Sequence, residues 1–358
     1  MTATALHSRS ILYRLLIFVW IAAVLMAILW QFWSARPKPP PPGWKTWRNL
    51  GSILGIVMTP DGVIAGGSKG LFRIDAQYRI SPIKIKGITN PVVVYNLLYD
   101  RKGILWVGHN SGLSFFDGTN WKTLTEVDGL PDRTVRTLAG TKAGELWIGT
   151  NNGTMQLAGP NPGNCTSTLV LTPRDGLLHG LVSAIVEDGE GGIWFGNYAA
   201  PDGGLNRLKD RQWQHWTPKE GLPHANITSL LLDRDGLIWA GCGFLERGGA
   251  AVFRAQNGAW RIDQILPANE LAGVKVRSLF QDSRGWIWIG SENDGMAIRS
   301  GNKTLRILTT QDGLANQEVL VTTEAPDKAI WLGTINGLNR IGPEALMALF
   351  QQQKNIMR

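Results

Sequence analysis

DRKGILWVGHNSGL, residues 100–113, is the stretch whose reading decides the fold. It reads as a short strand centred on Trp106, with a glycine-bearing turn before it and another after it. Near-copies recur along the chain: TKAGELWIGTNNGT from Thr141, DGEGGIWFGN from Asp188, DRDGLIWAGCG from Asp233, DSRGWIWIGSENDG from Asp282 and APDKAIWLGTINGL from Ala325. A worn copy, TPDGVIAGGSKGL from Thr59, carries Ile64 where the others carry Trp. The anchoring positions 64, 106, 147, 194, 239, 288 and 331 therefore make seven units, spaced by about one propeller-blade length.

Each unit reads as four short strands. An apolar strand such as 135–140 or 276–282 comes first and the Trp strand second. A third follows the glycine turn (112–117, 337–341), and a fourth resembles NWKTLT at 120–125 or AWRID at 259–263. Loops of the form DGL or EGL then lead to the next unit, at 128–130, 175–177, 220–222 and 312–314. Four strands per period predict an all-β, single seven-bladed β-propeller over 44–342, in which radial repetition leaves only short sheet edges. The ends agree. The seventh unit has three strands and then runs into PEALMALFQQQKNIMR, a predicted C-terminal helix over 343–358 with Leu346, Leu349 and Phe350 on one face. The missing strand lies at the other end, where GWKTW (43–47) matches NWKTL (120–124), so an N-terminal strand is expected to close the last blade.

Composition bounds the rest. Sixteen Trp and 43 Gly suit a turn-rich β chain with aromatic anchors. The net charge of +8 is not a nucleic-acid footprint, because Arg9, Arg14, Arg36, Lys38, Lys45 and Arg48 concentrate it before residue 50, where there is no acid. After a short tail (1–14), residues 15–33 form an uncharged apolar run of spanning length with Trp near its C-terminal end. Residues 33–35 lack the small-x-small pattern of a cleavage site, so the run is read as one uncleaved transmembrane helix anchoring the chain in the inner (cytoplasmic) membrane. A count of Lys and Arg alone would keep the domain in the cytoplasm. That rule is weak for large translocated domains, and a periplasmic or extracellular propeller is the expectation. The proline-rich linker, 34–43, reads as a stiff polyproline spacer of about 20 Å. Cys165 and Cys242 have no metal-ligand spacing, and no cofactor or metal is expected.

These repeats resemble the two-component regulator propeller family, whose pattern is an Asp-x-x-Gly turn, a hydrophobic-Trp-x-Gly-Thr strand and then Gly-Leu. The resemblance implies an extracytoplasmic sensor domain that recognises ligands such as oligosaccharides. It departs from the family in having one propeller and no kinase, cyclase or DNA-binding module in the sequence, so the implied signal would pass to a separate membrane signalling protein.

The repeated Trp and Gly residues read as structural, and Asp100, Asp188, Asp233 and Asp282 as caps of their own turns. Function is expected where the repeats differ. Nine residues before each turn start stand Pro91, Asp132, His179, His224, Gly273 and Asn316, all on loops leading into an innermost strand. Together with Arg136, Asn226, Lys275 and Arg277 they would ring one mouth of the channel as a polar or anion-binding site. The stretches after the Trp strand are extended at 197–204 and 242–249, so Tyr198, Asp202, Phe244, Glu246 and Arg247 would form a raised lip for an oligosaccharide or peptide. The alternative for those side chains is ordinary solvated loop. HExxH is absent and no acid/His constellation is placed by spacing, so catalysis is not expected. A protein–protein scaffold is the second reading and a propeller hydrolase or lyase the third.

Overall fold

The computed structural model describes residues 18–27, 40–88, 92–159, 165 and 167–356. Two units separate, 1–39 and 40–358. In the first, the chain is helical over 18–27 (α1), with Phe18, Val19, Trp20 and Met26 exposed. No helix among the described residues is long and apolar enough to cross a membrane. The rest of the expected 15–33 anchor and most of the proline linker lie outside the described residues.

Among the described residues of the second unit, 28 strands form seven four-stranded antiparallel sheets. Blade 1 runs Ile53–Thr59, Gly62–Gly67, Gly70–Ile74 and Ile80–Ile83 from axis to rim, and blades 2 to 6 repeat that order with inner strands starting at Val94, Val135, Val182, Ile227 and Val276. Blade 7 takes Val319–Glu324, Ile330–Thr334 and Gly337–Ile341 from the C-terminal end and its outermost strand, β1 (Trp44–Arg48), from the N-terminal end. Trp44 pairs with Ile341 and Arg48 with Gly337, and Trp47 stacks on Trp331 at 5.6 Å. The ring closes by the expected N-terminal strand.

Three local rules generate the repeat. First, each Asp turn is tied to its Trp. The Asp188 carboxylate accepts from the backbone N–H of Glu190 and Gly192 and from the Trp194 indole at 2.8 Å, and Asp100, Asp233 and Asp282 do the same for Trp106, Trp239 and Trp288. The aspartates thus cap their turns as expected and also satisfy a buried indole donor. Where Thr141 and Ala325 replace Asp, the indole nitrogens of Trp147 and Trp331 are buried without a partner.

Second, the glycine two residues after each Trp lies where blades meet. A Cβ on Gly108 would come within 2.7 Å of Val135, and one on Gly196 within 2.5 Å of Ile227, each the first inner-strand residue of the next blade. Third, the DGL loops are capping boxes. Thr172 and Asp175 cap each other's backbone around a single 3-10 turn, and Gly176 follows at φ 113° in the left-handed region. Leu177 then drops into the core; Leu130, Leu222 and Leu314 occupy the equivalent places.

The C-terminal helix α2 (Pro343–Ile356) buries Leu346 and Leu349 against blades 6 and 7, and Phe350 meets Trp286 at 4.5 Å. The sequence suggested a loop over 242–249, but strands Ile238–Phe244 and Arg247–Gln256 pair to their tips, Phe244 opposite Arg247, so this lip is a β-hairpin. Small residues explain it: a Cβ on Gly243 would come within 3.0 Å of Lys275 and one on Gly248 within 2.4 Å of Val274, so glycine lets the ladder continue to the tip.

Candidate ligand-binding site

Every inner strand shifts register after its first residue, in all seven blades. Such a bulge leaves the second residue without a partner on the Trp strand and re-aims its side chain. The seven residues so placed are Leu54, Tyr95, Arg136, Ser183, Thr228, Arg277 and Leu320, and all of them line the axial cavity, about 600 Å³. Two are arginines. The Arg136 guanidinium lies 4.4 Å from the Tyr95 ring centroid and its Nε donates to Asn151 at 2.8 Å. Arg277 pairs with Glu318 at 2.9 Å, and its Nε is buried without a partner. Burial, reinforced by Glu292, holds the Glu318 carboxyl above the ordinary glutamate range against the pull of Arg277 and Lys275. Tyr198, at the base of the 197–204 loop, lines the same cavity.

A second hollow, about 660 Å³, lies on the same face between blades 5 and 6. His224, Phe244, Glu246, Arg247 and Lys275 line it, with Glu292. Lys275 is 6 % exposed, pairs with Glu292 at 2.6 Å and sits 5.5 Å from the Phe244 ring. Burial lowers the His224 pKa, and the neighbouring Arg247 and Lys275 charges lower it further, so its imidazole is biased towards the neutral form.

Apart from His224, the remaining predicted residues line neither hollow. Asp132, His179, His224 and Asn316, chemically unlike, do one job: each side chain accepts a hydrogen bond from the backbone N–H two residues on, at Thr134, Leu181, Asn226 and Glu318. Their variation in type therefore conceals a shared turn-capping role, and Asp132, His179 and Asn316 line neither hollow. Asn226 is buried, and its side-chain oxygen ties down the Ala200 N–H at 2.6 Å. It holds the 197–204 loop and lines neither hollow. Asp202 is exposed on that loop and lines neither hollow. Gly273 offers no side chain, and Pro91 lies outside the described residues. Tyr95, Glu318 and Glu292 were not singled out from the sequence. A bulge leaves no mark on the apolar pattern, although position two of each inner strand varies from Leu to Tyr, Ser, Thr and Arg.

The run GGSKG at 66–70 has the spacing of a nucleophile elbow, but it is the hairpin turn of blade 1, and Ser68 Oγ accepts the Ser52 N–H at 3.0 Å. Among the described residues no three His, Cys, Asp or Glu side chains come together to hold a metal.

Four segments, 129–152, 176–199, 221–244 and 270–293, match the two-component regulator propeller family. Three begin at the Gly-Leu of a DGL or EGL loop and the fourth at Glu270, and each covers a bulged inner strand and a Trp strand. Four of the seven repeats are thus similar to the two-component regulator propeller pattern, and the match covers less than half of the chain. The extracellular domain of BT3049 from B. thetaiotaomicron, assigned to a hybrid two component system, superposes with a TM-score of 0.72 at 20 % identity, over 86 % of this chain and 42 % of that one. This chain thus spans about two-fifths of that domain's length. A catalytically inactive virginiamycin B lyase from Staphylococcus aureus gives 0.62 at 12 % identity, covering 83 % of this chain and 98 % of that one. YCF48 from Cyanidioschyzon merolae gives 0.61 at 13 %, covering 84 % and 99 %. At such identities the superpositions establish the shared propeller fold alone. No curated protein sequence matches the chain.

Proposed function

We propose that this propeller is a membrane-anchored sensor domain that binds a small anionic ligand at the channel mouth and passes the signal to a separate membrane protein. The observation that carries the reading is the pair of arginines delivered to the cavity by bulges on blades 3 and 6. Guanidinium groups bordered by Tyr95 and Tyr198 suit a carboxylate-bearing oligosaccharide or peptide. The propeller repeats support a sensing role, and residues 15–33 supply the anchor. The domain is not an enzyme in this reading.

The test is calorimetric titration of the full chain with neutral oligosaccharides, uronic-acid oligosaccharides and acidic peptides. At least one anionic class should bind. Arg136→Gln with Arg277→Gln should weaken it at least tenfold while thermal stability is kept within a few degrees. Binding restricted to neutral ligands, or unchanged in the double variant, would overturn the reading. Topology is tested separately by reporter fusions after Arg358, of which only the type active outside the cytoplasm should give signal.

A scaffold role is the second reading. It is favoured by a hollow of about 540 Å³ at the opposite end of the inner strands, floored by Leu98, Ala139, Ile185 and Leu230.

A further inference from the structure

Six Trp strands seal the joint to the following blade with an indole. Trp106 packs into blade 3 beside Leu138 and Leu146, and Trp194 into blade 5 beside Ile238 and Phe253. Blade 1 breaks this rule twice. Ile64 replaces the indole, and the turn before it is shortened to Pro60 and Asp61 between strands Ile53–Thr59 and Gly62–Gly67. Ile64 still packs against Leu97, Leu105 and Val107 of blade 2. The space an indole would fill is left as a notch of about 280 Å³, walled by Ile64, Ile83, Tyr99, Leu105, Phe116 and Trp121.

The notch keeps the chemistry that surrounds an indole elsewhere in the ring. Arg73 pairs with Ile64 across the ladder, as Arg207 pairs with Trp194 in blade 4. In blade 4 that guanidinium lies 6.0 Å from the Trp194 ring centroid and 5.6 Å from the Trp260 ring. In blade 1 the Arg73 side chain is held by Asp61, through the backbone oxygen at 3.0 Å and the carboxylate at 3.5 Å. Both residues line the notch. The walls are themselves aromatic, Phe116 and Trp121 lying 5.1 Å apart. A cation and aromatic rings in the same lining favour a planar π system, and the exposed Asp61 carboxylate is an acceptor for a ring N–H.

We infer that the blade 1–blade 2 notch is a binding site for a free, planar aromatic molecule of indole size. The volume admits a bicyclic ring with room around it but not an extended peptide segment, which is the argument for a small molecule. This site is separate from the channel mouth and does not depend on the sensor reading.

Ligand-observed NMR on the full chain, with indole as the probe, tests it. Saturable binding is expected, weakened at least tenfold in Ile64→Trp, whose own side chain occupies the notch; that variant should melt no lower than the parent. If Ile64→Trp does not fold, Trp121→Ala, which removes one wall, serves as the second variant and should also weaken indole at least tenfold. No saturable binding to the parent, or equal binding to a folded variant, overturns the proposal. Tighter binding of N-acetyl-tryptophanamide than of indole also overturns it, in favour of a peptide side chain.

Discussion

Removing the Asp188 carboxylate should destabilise the propeller far more than removing its counterpart Asp100, although both occupy the same place in the repeat. Asp100 accepts from two backbone N–H groups and the Trp106 indole, at 2.8 to 2.9 Å. Asp100→Ala leaves that indole buried and unpaired, a loss of about 1–3 kcal/mol. Asp188 makes the same bonds and also accepts from Arg207 Nε at 2.6 Å, with the carboxylate fully buried and the Arg207 side chain 7 % exposed. Burial alone would raise the Asp188 pKa, but Arg207, Trp194 and the turn N–H groups together lower it. Its contribution is therefore present above the usual aspartate pKa and is lost only as pH falls through the lower folded value. Asp188→Ala strands a buried guanidinium with Glu190 and Gln214 as its remaining partners, which should cost about 3–5 kcal/mol. Urea unfolding of the full chain at neutral pH would compare the two variants, and adding Arg207→Met to Asp188→Ala should recover most of the excess loss. Equal losses in the two single variants, or no recovery in the double one, would refute the claim that the buried pair sets the difference.

Two further outcomes are expected. His109 is buried, its Nδ1 accepts the Ser111 N–H and its Nε2 contacts Ser114, and burial lowers its pKa to about 4. The unfolded chain takes up that proton first, so stability should fall by about 3 kcal/mol as pH drops from 6.5 to 4; His109→Thr, the residue at the equivalent Thr150 and Thr334, should flatten that slope in urea titrations at several pH values. Ala325→Asp should give the Trp331 indole an acceptor, with Arg340 opposite it in register as Arg207 is opposite Trp194, and raise stability by about 1 kcal/mol in the same assay. A lower unfolding midpoint would show that the Asp–Trp tie does not transfer between blades.

The architecture was legible because it rests on residues with few substitutes. An indole seals six of the seven joints, a glycine admits the neighbouring blade, and Thr with Asp or Glu caps each DGL turn, so the blade count and the closing strand could be read directly. The site was legible only in part. Arg136, Arg277 and Tyr198 do share one cavity, and His224, Phe244, Glu246, Arg247 and Lys275 share another. Their division into two hollows depends on a bulge and on a hairpin of ordinary sequence. His179, Asp132 and Asn316 looked informative because they differ, yet a nitrogen or an oxygen at that reach accepts the same backbone bond. Conversely, Ile64 read as a worn repeat, while in three dimensions the lost indole leaves a lined space.

The closing strand also orders events during synthesis. Trp44–Arg48 leaves the ribosome first, and its partner Gly337–Ile341 follows about 290 residues later. At about 5–20 residues per second, roughly 15–60 s pass before the pairing can form. During that time Trp44 and Trp47 have no sheet to join, and the blades already made can form only an open arc whose first and last sheets each lack a neighbour to pack against. A chain that stalls before Ile341 cannot form the ring, however well its first six blades have folded.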